Sequence, residues 1–234
     1  MPFRQKHLLG ILVALVFANE LRENRLVQLR NLFKKTHSLK KLLSLLGLLF
    51  LAVSVLIPLD PVILKWIQTH GGPESRMTYI GIWFSKNTWN VLILLYVAGF
   101  ILRSQAWKKN VFGALLANGM TSLVATGFKF TLMRARPDNN LGPLSFFNLQ
   151  GLQNDSSFQS FPSGDVSIVS GACGYLFFAV KNKFLKLLLV LIPFTTACAR
   201  ISANRHWPTD VLFSIGLGFL AAYWVRSHQE ESII

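Results

Sequence analysis

Apolar residues recur in long runs along this chain, and short polar segments separate the runs. A helix that crosses a hydrocarbon core needs about 20 mostly apolar residues. Runs of roughly this length predict six helices, over residues 42–58, 87–103, 110–132, 164–180, 184–201 and 209–226. The pattern therefore predicts an all-α protein, a polytopic membrane helical bundle with six transmembrane helices.

The first 41 residues differ from the rest because basic side chains interrupt them. Residues 8–18 are apolar, but at about eleven residues they are short for a span. They resemble a signal peptide that ends near Ala18-Asn19, or an interfacial amphipathic helix that continues into the basic stretch, and we favour the helix. We expect a basic cytoplasmic region over residues 1–41, a six-helix domain over 42–226 and a short cytoplasmic tail over 227–234.

The formal net charge of +14 would be compatible with nucleic-acid binding. However, 52% of the residues are hydrophobic, and the basic residues lie between apolar runs rather than on one face. Most of the 24 lysines and arginines fall on one side of the membrane if residue 1 lies in the cytoplasm. We therefore expect an inner-membrane protein and no nucleic-acid partner. Cys173 and Cys198 lie in apolar runs, and we interpret both as packing residues.

A first polar cluster lies at the end of the third predicted helix. Lys129 and Arg136 are seven residues apart, nearly two helical turns, so we expect their side chains on one face of that helix. A guanidinium and an ammonium that converge on one spot suit a phosphate dianion. Pro137 disfavours further helix. Arg134 lies on another face, and we interpret it as an anchor at the membrane interface.

A second cluster, Pro162-Ser163-Gly164, opens the fourth predicted helix. Ser163 suits the N-cap position, and the free amides at a helix N-terminus attract anions. Gly164 has no side chain, so a ligand can approach the backbone N–H groups closely. The pattern predicts an anion site, although a capped helix with no ligand would show the same residues.

A third cluster lies between the fifth and sixth predicted helices and contains Arg200, His206 and Asp210. A carboxylate four residues after an imidazole can accept the proton on one ring nitrogen and leave the other free to attack. This order is typical of a nucleophilic histidine. One His and one Asp are too few for a metal site, so we expect no metal and no other cofactor. With the N-terminus in the cytoplasm, all three clusters face the periplasm or the exterior.

The three clusters together resemble the type 2 phosphatidic acid phosphatase superfamily of membrane lipid phosphatases. The likeness is lysine, six residues, Arg-Pro, then Pro-Ser-Gly, then arginine, five residues, histidine, three residues and aspartate, within residues 42–226. The resemblance implies a metal-free helical bundle and a phosphohistidine intermediate. It also implies that His206 attacks phosphorus, that Asp210 orients His206, and that the phosphate is held by Lys129, Arg136, Ser163, Gly164 and Arg200.

Two positions depart from that family's pattern. The second motif usually continues with a histidine that protonates the leaving group, and this chain has Asp165 there; Ala199 replaces the usual serine before Arg200. An aspartate carboxyl is normally ionised at neutral pH and then cannot donate a proton. Three hypotheses follow. Asp165 acts as a protonated acid in the complex, the leaving group is a phosphate or an anomeric oxygen that needs little help, or catalysis is lost.

The sequence therefore predicts an integral-membrane lipid phosphatase with His206, Asp210 and Asp165 as catalytic residues. Candidate substrates are undecaprenyl pyrophosphate, phosphatidylglycerol phosphate, phosphatidic acid and the phosphates of lipid A. The alternatives are a phosphotransferase that uses the same residues and a non-catalytic lipid-phosphate binder. The basic region over 1–41 would suit anionic lipids of the inner leaflet. We interpret His70 as an exposed residue of the first outer loop.

Overall fold

The computed structural model describes residues 38–71, 75–150 and 155–231, and the regular structure in these ranges is helical. The α-helices are α1 (Ser38–Ser54), α2 (Asp60–Gly71), α3 (Arg76–Ile101), α4 (Gln105–Leu132), α5 (Gly164–Ala179), α6 (Lys183–Ser202) and α7 (Pro208–Glu231). This confirms the all-α prediction. The chain divides into two compact units, Met1–Leu45 and Leu46–Ile234; the described part of the first is helical. The stretch 8–18 and its predicted interfacial helix lie outside the described residues.

The first predicted helix, over 42–58, is broken near its end. Ile57–Leu59 form a short 3-10 helix, and Pro58 within it has no N–H to continue α-helical bonding. The helix axis bends by 42° between Ser38–Ser54 and Ile57–His70. Helix α2 then begins at Asp60, so the break brings a carboxylate to the start of a new helix.

Helices α2 and α3 occupy much of the segment where the sequence predicted a loop, so the placement of His70 in a loop is wrong. Both regions mix polar with apolar residues, for example Lys65 in α2 and Lys86 in α3, which shortens the apolar runs that a search for spans detects. Neighbouring helices provide the stability that the local pattern does not show, because α3 packs against α4, α5 and α6.

The other helices lie close to their predicted positions, although α7 continues to Glu231, beyond the predicted end at 226. Among the described residues, three segments are long and apolar enough to cross a membrane, Gln105–Asn139, Lys183–Ser202 and Pro208–Gln229, and the bent pair of α1 and α2 would make a fourth. The count of six spans stays a prediction.

Close packing and aromatic contacts hold α4, α5 and α7 together. A Cβ on Gly218 of α7 would lie 2.4 Å from the Ser170 Cβ of α5, so only glycine permits this approach. Nearer the start of α5, the rings of Phe161 and Phe213 lie 4.8 Å apart, and Phe128 is 5.4 Å from Phe213. These rings fix the residues just before the α5 N-terminus against the first turns of α7.

The connection between α4 and α5 contacts the short turn between α6 and α7. Trp207 Nε1 donates to the carbonyl oxygen of Ala135 at 2.9 Å. The C-terminal ends of α4 and α6 and the N-terminal ends of α5 and α7 therefore lie at one end of the helices, which is where the three polar clusters are found.

Candidate active site

The chain leaves helical geometry before it reaches Arg136. Helix α4 ends at Leu132, and Met133 has a left-handed backbone with φ of 41° and an N–H bonded to the Lys129 oxygen. Arg136 has an extended backbone, and its N–H donates to the Ser157 oxygen at 2.9 Å. The prediction that Lys129 and Arg136 share a helix face is therefore wrong. A folded loop, rather than helical periodicity, positions Arg136.

Lys129 extends from the last turn of α4 past the start of α5. Its Nζ donates to the Gln159 carbonyl oxygen at 2.7 Å. A Cβ on Gly164 would lie 3.5 Å from Lys129 Cε, so the lysine passes beside the first residue of α5. The charged groups close enough to interact with that of Lys129 are those of Arg136, Asp165, Arg200 and Asp210. The structure thus brings residues of all three clusters together.

Arg136 is buried, with 7% of its surface exposed. No described residue accepts a hydrogen bond from its Nε or Nη1. Its guanidinium also experiences the like charges of Arg205 and Arg200 and, more weakly, the opposite charges of Asp138 and Asp165. Buried polar groups in folded proteins are nearly always paired. Buried donors without a partner, close to other cations, therefore indicate a place for an anion.

Ser163 occupies the N-cap position of α5, as the sequence predicts. Its hydroxyl, however, forms no capping bond, and the buried Oγ has no hydrogen-bond partner in the described part of the chain. The expected capping by this side chain is therefore wrong. The hydroxyl and the first amides of α5 are left available at the same helix N-terminus.

Arg200 lies in the last turn of α6 and faces Asp165 of α5. Its Nε is 3.1 Å from Asp165 Oδ2, with side chains 18% and 37% exposed respectively. The two groups form an ion pair without hydrogen-bond alignment, because Arg200 Nε has no aligned acceptor among the described residues. The carboxylate of Asp165 is thus paired with Arg200, which the sequence analysis predicts to bind the phosphate.

His206 is buried in the turn between α6 and α7. Its Nδ1 lies 2.7 Å from the carbonyl oxygen of Ser160. A carbonyl oxygen can only accept, so Nδ1 carries the proton and Nε2 keeps its lone pair. Burial lowers the pKa of His206 to about 4, against the opposing effect of Asp210, so the ring is neutral at neutral pH. A neutral imidazole with a free Nε2 is the form that can attack phosphorus.

Asp210 reaches His206 through Ser160. Asp210 Oδ2 lies 3.7 Å from His206 Nδ1, too far for a hydrogen bond. The same oxygen accepts from Ser160 Oγ at 2.5 Å and from the Trp207 N–H at 2.9 Å. The prediction that Asp210 accepts the imidazole proton directly is therefore wrong. The carboxylate holds Ser160, and the Ser160 carbonyl holds the imidazole.

Arg134 is fully buried, so its interpretation as an anchor at the membrane interface is wrong. Nη1 donates to Asp210 Oδ1 at 2.5 Å and to Thr209 Oγ1 at 2.9 Å. Nη2 donates to Asp60 Oδ2 at 2.7 Å and to the Pro143 oxygen at 2.6 Å, and Nε donates to that oxygen at 2.9 Å. The five N–H groups of this guanidinium are all used.

The sequence analysis missed Asp60, Ser160 and Thr209. Asp60 Oδ1 accepts from the Thr209 N–H at 2.8 Å, and Oδ2 accepts from Thr209 Oγ1 at 2.6 Å. Asp60 could have been noticed as a carboxylate inside a long apolar run, because ionisable residues in membrane segments are rare and usually functional. Ser160 offered no such signal, since the group that holds His206 is a backbone carbonyl.

Three remaining residues lie on helices outside these clusters. His70 is exposed in the last turn of α2, with its ring stacked on Trp66 at 4.8 Å. Cys173 is buried in α5, whereas Cys198 is exposed on α6. The prediction of a packing role is confirmed for Cys173 and wrong for Cys198.

Comparisons with known proteins relate this chain to one family. A family model described as the PAP2 superfamily matches residues 110–233, which contain all three clusters. A lipid A 1-phosphatase of Porphyromonas gingivalis is 25% identical over 133 residues, or 54% of this chain and 26% of that protein. The chain thus spans about a quarter of the length of that relative.

Two solved structures share the fold. A PAP2-type phosphatidylglycerolphosphate phosphatase from Bacillus subtilis is 23% identical, with a TM-score of 0.63 over 82% of this chain and 96% of that chain. Aquifex aeolicus LpxE is 22% identical, with a TM-score of 0.54 over 72% of this chain and 95% of that chain. At these identities the likeness shows the helical fold.

Proposed function

The chain belongs to the PAP2 superfamily, and we propose that it is an integral-membrane lipid phosphatase that acts through a phosphohistidine. It hydrolyses a lipid phosphate or pyrophosphate at the outer, periplasmic face of an inner membrane. His206 is the nucleophile, and the phosphate is held by Lys129, Arg136, Ser163, Gly164 and Arg200.

One observation carries this proposal: buried donors that no described residue satisfies lie at the same end of the helices as a neutral imidazole. The donors are Arg136 Nε and Nη1 and Ser163 Oγ. Each buried unpaired polar group costs about 1–3 kcal/mol. A phosphate offers acceptors on several oxygens at once, so a single ligand can satisfy these donors together.

The chemistry follows from the orientation of His206. Its Nε2 lone pair forms a P–N bond while the bond from phosphorus to the leaving oxygen breaks, and the electron pair departs with that oxygen. Water then attacks phosphorus, the P–N electrons return to Nε2, and inorganic phosphate leaves. Lys129, Arg136 and Arg200 balance charge on the equatorial oxygens in both steps. Asp210 stabilises the positive ring of the intermediate.

Asp165 bears on the choice of leaving group. Its carboxylate lies 3.1 Å from Arg200 Nε, where it competes with the substrate phosphate for that arginine. An aspartate carboxyl is normally ionised at neutral pH and then cannot donate a proton, so we favour substrates whose leaving group needs little help to depart. These are undecaprenyl pyrophosphate and lipid A, whose 1-phosphate is on an anomeric carbon. The curated relative is named for lipid A. Phosphatidylglycerol phosphate and phosphatidic acid lose a poorer alkoxide and rank lower.

Charge distribution supports the outward orientation of the site. Helix α4 rises about 36 Å between Gln105 and Lys129, at 1.5 Å per residue. The connections and first helical turns at the far end from Lys129 carry six basic residues, Arg103, Lys108, Lys109, Lys181, Lys183 and Lys186. Positive charge favours the cytoplasmic side, and this supports an outer position for His206.

Phosphate release from a panel of detergent-solubilised lipid phosphates tests the proposal. We expect release by the wild-type protein and a loss of at least about a thousandfold in His206→Ala, the scale seen when a nucleophile is removed. His70→Ala is the matched control, because His70 is an exposed histidine on another helix. It should retain wild-type activity.

A labelled substrate tests the intermediate directly. Rapid quenching should trap radiolabelled phosphate on the wild-type protein in a form that survives base and is lost in acid, the behaviour of phosphohistidine. His206→Ala should take no label. A wild-type protein that binds the lipids with neither release nor labelling would contradict the proposal and indicate a non-catalytic binder.

A further inference from the structure

Asp60 is a buried carboxylate that does not touch the nucleophile. The break after α1 places it at the start of α2, where it is 0% exposed. Both of its oxygens accept hydrogen bonds from Thr209 in the first turn of α7, through the N–H at 2.8 Å and the hydroxyl at 2.6 Å. Asp60 therefore joins α2 to the helix that carries Asp210.

Arg134 lies between two carboxylates. Its Nη2 is 2.7 Å from Asp60 Oδ2, and its Nη1 is 2.5 Å from Asp210 Oδ1. All three side chains are fully buried, so solvent screens these charges little. Two carboxylates and one guanidinium leave one formal negative charge in excess.

That excess charge lies beside the imidazole. Asp210 Oδ2 is 3.7 Å from His206 Nδ1, and Ser160 bridges them by donating its hydroxyl to Asp210 and accepting from His206 at its carbonyl. A negative charge here stabilises the positive ring that forms when Nε2 bonds to phosphorus. Without Asp60, Arg134 would neutralise Asp210 alone, and the excess would disappear.

We propose that Asp60 and Arg134 are positioning residues that keep Asp210 and Ser160 in place and maintain the negative charge that activates His206. This inference rests on the proposed function, because it concerns the same nucleophile. It assigns to Asp60, in α2 and outside the three sequence clusters, a role in the phosphoryl-transfer step. A residue that only joined helices would affect stability and leave that step unchanged.

Asp60→Asn separates the two roles, because it removes the charge and keeps the size of the side chain. We expect kcat to fall by about 10- to 100-fold, by analogy with the loss seen when the hydrogen-bond partner of a metal ligand is removed. KM, and the affinity and stoichiometry of orthovanadate, a phosphate mimic, should stay at wild-type values, since the phosphate-binding groups are untouched. Asp155→Asn is the matched control, because Asp155 is an exposed aspartate outside this network.

The pH dependence of kcat/KM gives a readout that a structural role would not change. The charged groups that face His206 are Lys129 of α4, Arg200 of α6 and Asp210 of α7. Burial already lowers the pKa of His206 to about 4. Loss of negative charge disfavours the imidazolium further, so the acid limb should move to lower pH in Asp60→Asn.

A second pair of variants tests the connection through Thr209. Thr209→Ser keeps the hydroxyl that donates to Asp60 and accepts from Arg134, whereas Thr209→Val removes it. We expect Thr209→Ser to retain turnover and Thr209→Val to lose it in the same direction as Asp60→Asn. Equal turnover in the two variants would contradict a role for the connection through Thr209.

The outcomes distinguish this inference from the proposed function. A wild-type protein that releases no phosphate would make both wrong. An active wild type with unchanged turnover and acid limb in Asp60→Asn would overturn this inference alone. A loss of turnover that matches an equal loss of vanadate-binding sites, with no shift of the acid limb, would also overturn it, because Asp60 would then be structural.

Discussion

Arg134 and Arg136 are two residues apart and both are buried, yet their guanidinium groups have opposite surroundings. The five N–H groups of Arg134 reach acceptors, including the carboxylates of Asp60 and Asp210. Arg136 directs Nε and Nη1 toward no acceptor among the described residues and lies near the like charge of Arg200. One side of the site is thus saturated by the protein, and the other is unsaturated.

The difference separates groups that position from groups that bind. A guanidinium whose donors are all used can bind a ligand only by breaking internal bonds, so Arg134 stabilises the site and does not hold substrate. A guanidinium with unpaired buried donors gains those bonds when an anion arrives, so Arg136 suits a phosphate. Basic residues in one short segment can therefore have different roles, and their partners distinguish them.

The largest expected effect is on stability, at Arg134. Arg134→Gln would leave Asp60 and Asp210 buried without their cation, and breaking a buried ion pair costs about 3–5 kcal/mol. We therefore expect the free energy of unfolding of Arg134→Gln, measured in mixed micelles, to be lower than that of the wild type by this amount. Arg136→Gln should be no less stable than the wild type, because it removes donors that the described protein leaves unpaired. Equal destabilisation by both changes would remove the distinction.

The next effect is on turnover, at Arg136. Arg136→Gln should lower phosphate release by about 100- to 1,000-fold, the cost of losing one donor that stabilises developing charge. Arg136→Lys keeps the charge and loses the fork of donors, so it should fall between Gln and wild type. Arg76→Gln, at an exposed arginine of α3, is the matched control. A variant at Arg136 with full turnover would show that the unsaturated side does not bind the phosphate.

A third prediction concerns stabilisation by a phosphate mimic. Orthovanadate at about 100 times its Kd should raise the free energy of unfolding of the wild type by about 2.7 kcal/mol. Arg136→Gln should lose most of this gain at the same concentration, whereas Asp60→Asn should keep it. If Asp60→Asn lost this stabilisation instead, the residues around Arg134 would take part in binding the phosphate.

Long apolar runs predicted α4 to α7 because those helices are apolar over almost their whole length. They did not predict α2 or the first turns of α3, where polar residues interrupt the runs and contacts between helices stabilise the helical backbone. The break at Ile57–Leu59 has a local signal in Pro58, but its consequence, a buried Asp60, depends on contacts with α7.

The residues of the site were predictable from chemistry, and their partners were not. Lys129, Arg200 and His206 lie at helix ends as the sequence indicates. The assignment of Arg134 to the membrane interface failed because it assumed that helix continues beyond Leu132, whereas Met133 turns the chain. The partner of His206 Nδ1 could not be predicted, because a backbone carbonyl leaves no mark on the sequence.

The smallest expected effect concerns Asp165, which partly fills the unsaturated side. Its ion pair with Arg200 is partly exposed, and such pairs contribute at most about 1 kcal/mol. Asp165→Asn should free Arg200. KM for a pyrophosphate lipid should then fall by up to about fivefold, the factor that corresponds to about 1 kcal/mol. The value of kcat should not change, because a phosphate leaving group needs no acid. Asp155→Asn again provides the control.

Comparison of two leaving groups decides the role of Asp165. If Asp165 competes with the substrate phosphate, Asp165→Asn should lower KM for pyrophosphate and monoester lipids alike and leave both kcat values unchanged. If Asp165 instead protonates the leaving group, kcat should fall for phosphatidic acid, whose alkoxide needs a proton, and much less for pyrophosphate. That second result would make Asp165 a catalytic acid and would contradict its assignment as an internal ligand of Arg200.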